Sequence, residues 1–185
     1  LDVEFFFNEA IEEILTKNNQ VIGVRSAKKE ITSDIVVSNM DVYHTYNKLL
    51  PHLDTPINVI KNERSSSALI FYWGINGTFP NLDLHNIIFS SNYKKEFDKI
   101  FREKDISDDP TIYINISKKD VKDHAPKDKE NWYVMINVPW NEDQNWDIKK
   151  SQLRKNVINK INATLSIDIN SLIETEKIIT PKNIS

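Results

Sequence analysis

The sequence contains no cysteine. That excludes disulfides, thiolate nucleophiles and cysteine-ligated metals, and it fits a reducing interior such as the cytoplasm. Glycine is almost as scarce, with only Gly23, Gly74 and Gly77, too few and too dispersed for a phosphate-cradling loop. Positive charge is not in excess either. Lys plus Arg is 24 and Asp plus Glu is 27, a net charge of −3, so nucleic acid is not an expected partner. No apolar run approaches the roughly 20 residues that cross a bilayer. The apolar start, Leu1 to Phe7, has no basic stretch before it and is interrupted by acids, so it does not read as a secretory signal. What remains is 185 residues, 39% hydrophobic and 10% aromatic, enough to bury a real core.

The patterning predicts short strands first. Val3 to Phe7, Ala10 to Thr16, Gln20 to Ser26 and Glu30 to Val37 each read as extended, with Asn18-Asn19 and Lys28-Lys29 at turns. Ile35-Val36-Val37 is a continuous β-branched run, expected to be buried on both faces. Asp41 is placed to cap a helix carrying Val42, Tyr46, Leu49 and Leu50, which Pro51 stops. Residues 52–65 are irregular and form the expected boundary between units 1–51 and 52–185.

The second unit begins with a long strand, Ser66 to Ile75, and a turn at Asn76-Gly77. A short strand, Asn86 to Ser90, leads into a helix from Asn92 to Glu103 with Tyr93, Phe97, Ile100 and Phe101 on one stripe. Thr111 to Ile116 and Trp132 to Val138 alternate as strands. A helix over Asp147 to Leu165 has Leu153, Val157, Ile161 and Leu165 at four-residue steps, and Leu172 to Thr180 reads as a last strand. The predicted fold class is therefore α+β: an antiparallel or mixed sheet of about five strands with two long helices, preceded by a small β-meander.

Chemistry-bearing motifs are sparse. His44, His52, His85 and His124 show no metal-ligand spacing, so no metal is expected. Gly74-Ile75-Asn76-Gly77 reads as a turn, because Thr78-Phe79-Pro80 rather than a helix follows it. Asp108-Asp109 and Glu142-Asp143 pair carboxylates in polar loops, where solvation is the ordinary reason. Trp73, Trp132, Trp140 and Trp146 either pack the core or line an apolar cavity. No set of side chains makes a catalytic constellation.

One ordered series of stretches carries more information. Asp34-Ile35-Val36-Val37-Ser38-Asn39-Met40-Asp41 is followed by Thr45-Tyr46-Asn47-Lys48-Leu49-Leu50, and then by Ser65-Ser66-Ser67-Ala68 leading to Tyr72-Trp73-Gly74. His85-Asn86-Ile87-Ile88-Phe89-Ser90, Asp109-Pro110-Thr111-Ile112-Tyr113, Glu130-Asn131-Trp132-Tyr133-Val134 and Thr180-Pro181 complete it. In this order they resemble the bacterial carotenoid desaturases of the phytoene desaturase type, including the hydroxycarotenoid 3,4-desaturases, from about Ile11 to Pro181. The chain departs from that family's pattern at Met40, Leu84 and Asp128.

The resemblance implies a flavoprotein oxidoreductase of carotenoid biosynthesis, with this chain as its middle portion and inactive alone. Residues 1–51 would then be the meander and helix of an FAD-binding domain, and residues 52–185 a substrate-binding domain. FAD would be held mainly by segments outside this chain, with Ile11 the one cofactor-contacting residue here. The substrate would be a lipophilic carotenoid, met at a cytoplasmic membrane surface that the protein touches without spanning. Phe71, Tyr72, Trp73, Trp132 and Tyr133 are the expected substrate-channel residues. The rival readings are a stand-alone α+β interaction module and a related polyene oxidoreductase.

Overall fold

The computed structural model describes residues 3–62, 64–140 and 144–184, Ile60 by its backbone alone. The Glu142-Asp143 pair lies outside the described residues. The chain divides into two compact units, residues 1–63 and 64–185.

The first unit is a three-stranded antiparallel sheet in the order β1-β2-β3, built from Ile11–Lys17, Gln20–Ser26 and Glu30–Thr32. Asn18 and Asn19 join β1 to β2 with φ of 51° and 60°. Two consecutive left-handed residues match the twist of a tight hairpin, and asparagine tolerates that region best after glycine. Gly23 has φ of 151°, and a Cβ there would lie 2.2 Å from the Ile31 carbonyl oxygen, so only glycine lets β2 and β3 approach as they do.

Three expectations fail in this unit, one being that residues 52–65 are irregular, since Ile57–Lys61 is a short helix. Residues 3–7 form no strand, and Phe5 and Phe7 are exposed. β3 ends at Thr32, leaving Ile35 and Val37 outside any sheet and 78% and 89% exposed. The run therefore has the propensity of a buried strand without a partner strand in this unit. Asp41 does cap its helix, accepting from the Tyr43 amide at 2.8 Å. That helix is one turn, Val42–His44, and it widens over Thr45–Leu49, where the Leu50 amide reaches back five residues to the Thr45 carbonyl at 3.0 Å.

The second unit is α+β. Its sheet has the order β5-β6-β7-β4-β8 with every neighbouring pair antiparallel, formed by β4 (Ser67–Asn76), β5 (His85–Ile88), β6 (Ile112–Asn115), β7 (Lys129–Val138) and β8 (Ile173–Ile179). Period-2 alternation sends Leu69, Phe71, Trp73 and Ile75 to one face, beside Ile112, Ile114, Trp132, Val134 and Ile136. Leu153, Val157 and Ile161 of the Trp146–Leu165 helix complete that core, as their four-residue spacing requires.

The Tyr93–Phe101 helix, capped by the Asn92 side chain accepting from the Lys95 amide, buries Ile100 and Glu96 but leaves Tyr93 exposed. Glu96 accepts from the Thr111 amide at 2.8 Å and the Thr111 hydroxyl at 2.7 Å, which satisfies a carboxylate that is 1% exposed.

Asp109 joins the same region together. It accepts from the amide and hydroxyl of Ser91, both at 2.7 Å, and pairs with Lys160 of the long helix. Burial pushes its carboxyl up, but Lys160 and the Ser91 donors outweigh that and hold it at about 2. A carboxyl whose folded pKa is depressed contributes stability above its unfolded value of 3.8, and that contribution disappears as the pH falls toward 2. Asp109→Asn is expected to flatten the pH dependence of the urea midpoint across this window. An unchanged slope in the variant would refute the assignment.

Candidate functional site

Because one face of the five-stranded sheet packs the core, the alternate residues form a second face, on which Tyr72, His85 and Ile87 are exposed and Ile70, Tyr113, Tyr133 and Met135 half-buried. Register sets its pattern row by row. Ile87, Tyr113, Met135, Ile70 and Ile179 stand side by side across all five strands and make an apolar row. The next row is His85, Asn115, Tyr133, Tyr72 and Lys177. Tyr72 is 46% and Ile87 54% exposed. A face that is apolar and aromatic along its middle and polar along one side is unusual for a sheet that simply meets water.

The aromatic rings of this face touch in sequence. Tyr72 and Tyr133 meet edge to face with centroids 5.4 Å apart, Tyr133 and Tyr113 likewise at 6.3 Å, and Tyr113 stacks on His85 at 6.0 Å. Beside them opens a concavity of about 540 Å³, bounded by Tyr72, Gly74, Asn131, Tyr133, Thr175 and Lys177. Gly74 leaves room there for the Thr175 hydroxyl, since a Cβ would lie 2.4 Å from it and force that side chain to turn.

Burial raises the Tyr133 phenol, and the neighbouring Tyr72 and Tyr113 add to this, so the hydroxyl remains a neutral donor. It donates to the Met135 sulfur at 3.6 Å. The arrangement suits a long, flat, apolar molecule. No group of His, Asp or Glu among the described residues could hold a metal ion.

The five residues expected at a channel separate by face. Phe71, Trp73 and Trp132 are fully or almost fully buried in the core, whereas Tyr72 and Tyr133 lie together on the open face. Trp146 joins the core as well, and Trp140 lies against the Arg64 guanidinium at 4.7 Å. Ile11 begins β1, an edge strand, half-buried and opposite Ser26.

Sequence spacing gave no hint of Tyr113, His85 and Asn115, which come from strands about 28 residues apart in the chain. Their only local signature is the alternation of β6. His124 also finds a partner, the Ser117 hydroxyl at 2.9 Å, but Asn131 donates to the same hydroxyl at 2.6 Å. That network ties down the loop before β7.

No protein-family profile matches the chain. Individual proteins do. It is 50% identical over 182 residues to a 1-hydroxycarotenoid 3,4-desaturase of a Flavobacterium species, covering 98% of this chain and 37% of that protein. It is 32% identical to a phytoene desaturase of Fusarium fujikuroi, covering 93% of this chain and 34% of that one. A 4,4'-diaponeurosporene oxygenase of Staphylococcus aureus is also 32% identical, with 94% and 36% covered. The chain thus spans a little over a third of the length of the curated relatives it matches.

Among solved structures, an oxidoreductase from Methanosarcina mazei aligns with a TM-score of 0.54 at 10% identity, over 93% of this chain and 36% of that one. This likeness concerns the fold alone. At 32–50% identity over 93–98% of its own length, this stretch of polypeptide is similar to about a third of each of these carotenoid desaturases and oxygenases.

Proposed function

We propose that the chain is the substrate-domain portion of an FAD-dependent carotenoid desaturase, and that the open face of the five-stranded sheet walls the path of the polyene. The observation that carries this reading is the apolar row Ile87–Tyr113–Met135–Ile70–Ile179, flanked by the contacting rings. At about 4.8 Å between strands, five strands make a strip about 19 Å wide. A rigid conjugated hydrocarbon lying across it is gripped by flat surfaces rather than by hydrogen bonds.

The first unit, with its meander and helix, is then the part that belongs to the FAD-binding domain. β1 lies at the edge of its sheet, so backbone groups beside Ile11 on the outer side are free of ladder partners and fit contact with the rim of an adenine ring. Gly23, Gly74 and Gly77 sit in strands or a turn with no helix opening behind them, so the pyrophosphate falls to segments other than these. A C–C single bond becomes a double bond by losing a hydride from one carbon and a proton from its neighbour, and a bound flavin would supply the hydride acceptor. The residues here orient the polyene and exclude water from it.

A substrate that dissolves in lipid brings the protein to a bilayer surface, and no described helix is long and apolar enough to cross one. The interaction-module reading is disfavoured by the relatives above.

The test incubates the full-length protein with FAD, liposomes and either phytoene or a hydroxylated carotene, and identifies the products. A longer conjugated product is expected, and Tyr72→Asp and Met135→Asp are each expected to cut turnover by at least about tenfold, the effect of roughly 1.4 kcal/mol. Full turnover in both variants would overturn the assignment of this face.

A further inference from the structure

We propose that His85 is a specificity-determining residue that donates a hydrogen bond to an oxygen on one end of the polyene, so that the site prefers a hydroxylated substrate. The inference rests on the substrate-face reading above and adds the chemistry of the ligand's end. His85 lies on β5, an edge strand of the sheet, at the end of the ring series Tyr72–Tyr133–Tyr113–His85. A rod laid along those rings therefore runs out of aromatic surface at the imidazole, the position where its terminus arrives.

The polar contacts of the imidazole determine what it offers there. The Asn115 amide nitrogen donates to the Leu84 carbonyl at 3.2 Å, which fixes the orientation of the amide, and its second N–H points at His85 Nδ1 at 3.3 Å. Tyr113 Oη lies 2.8 Å from the same Nδ1. A proton on Nδ1 would oppose the Asn115 N–H, so Nδ1 accepts and the ring's proton sits on Nε2. Among the described residues nothing accepts from Nε2–H. The site thus presents one oriented donor, held by two neighbours, beside an otherwise apolar and aromatic track. His85 is exposed, so a polyene end that covers it must replace water at this donor: a hydroxyl oxygen does so, and a purely hydrocarbon end leaves the N–H without a partner.

At the opposite edge of the same row stands Lys177 on β8, exposed and opposite Tyr72. It is the natural comparison, since its ammonium also donates but is not held by the ring series.

The experiment uses full-length protein and two acyclic polyenes that differ only in one terminal hydroxyl. Dissociation constants come from fluorescence quenching under non-turnover conditions, and kcat/KM from product formation. His85→Phe keeps the ring and loses the donor, and His85→Gln keeps an N–H. His85→Phe is expected to lower the preference for the hydroxylated polyene about five- to tenfold, leaving affinity for the other within about twofold. His85→Gln is expected to restore most of the preference.

The proposal is overturned if wild-type protein binds both polyenes equally, if His85→Phe weakens both alike, if His85→Gln is no better than His85→Phe, or if Lys177→Met removes the preference instead. A wild-type protein that binds and desaturates neither polyene would overturn the substrate-face reading itself. Desaturation of both without discrimination would overturn the role of His85 alone.

Discussion

Replacing Glu130 with leucine is expected to destabilise the second unit by about 3–5 kcal/mol, among the largest effects of any single change in the chain. Glu130 is 3% exposed and belongs to a small, closed network. Its Oε1 lies 2.7 Å from Lys119 Nζ and accepts from the Phe79 amide at 3.1 Å, while Oε2 accepts from Trp132 Nε1 at 2.9 Å. Lys119 also donates to the Phe79 carbonyl at 2.6 Å, and the Phe79 and Trp132 rings meet edge to face at 5.0 Å.

Leucine would strand the lysine charge and leave the amide and the indole N–H without acceptors. Removing one member of a buried pair costs far more than removing both. The double variant with Lys119→Met is therefore expected to recover part of the loss. Urea unfolding with an unchanged slope measures both. A single variant within about 1 kcal/mol of the wild type would show that the network contributes little.

The second large effect separates two neighbours in β4. Phe71→Ala is expected to cost about 3–5 kcal/mol, because its ring is fully buried against the core and its loss leaves a cavity. Tyr72→Ala is expected to cost less than about 1 kcal/mol, since its side chain is 46% exposed on the other face. Equal losses in the two variants, read from thermal or urea unfolding, would refute the assignment of faces. The contrast also gives the functional test its control: a Tyr72 variant that folds normally reports on the polyene rather than on stability.

Much of the second unit was legible in the residues. Ile112 and Ile114 in β6, and Trp132 to Val138 in β7, alternate over single short strands, so a period of two announces them. Leu153, Val157 and Ile161 repeat at the helical step, and Asn18-Asn19 suits a left-handed hairpin turn. These signals are local: each is written within one element and survives whatever that element packs against. The ordered motifs that resembled the carotenoid desaturases were equally a property of the sequence, and the relatives agree with them.

Other features were not legible, because they depend on partners distant in the chain. The residues of β4 are apolar on both sides, so alternation divides Phe71 and Trp73 from Ile70 and Tyr72 without saying which pair is inside. Glu96 and Glu130 look like ordinary surface acids until Thr111 and Lys119 are brought to them. Ile35 to Val37 has a buried strand's composition, yet β3 stops at Thr32, since propensity does not supply the surface that would cover it.

By itself, then, the sequence determined the kinds and positions of most elements, the α+β class and the likeness to the carotenoid desaturases, because periodicity and motif order are carried along the chain. Only the tertiary structure decided that β7 sits between β4 and β6, bringing Tyr72, Tyr133, Tyr113 and His85 into one contacting series on the open face. Strand order and register are cooperative results of packing the opposite face, and no single segment encodes them.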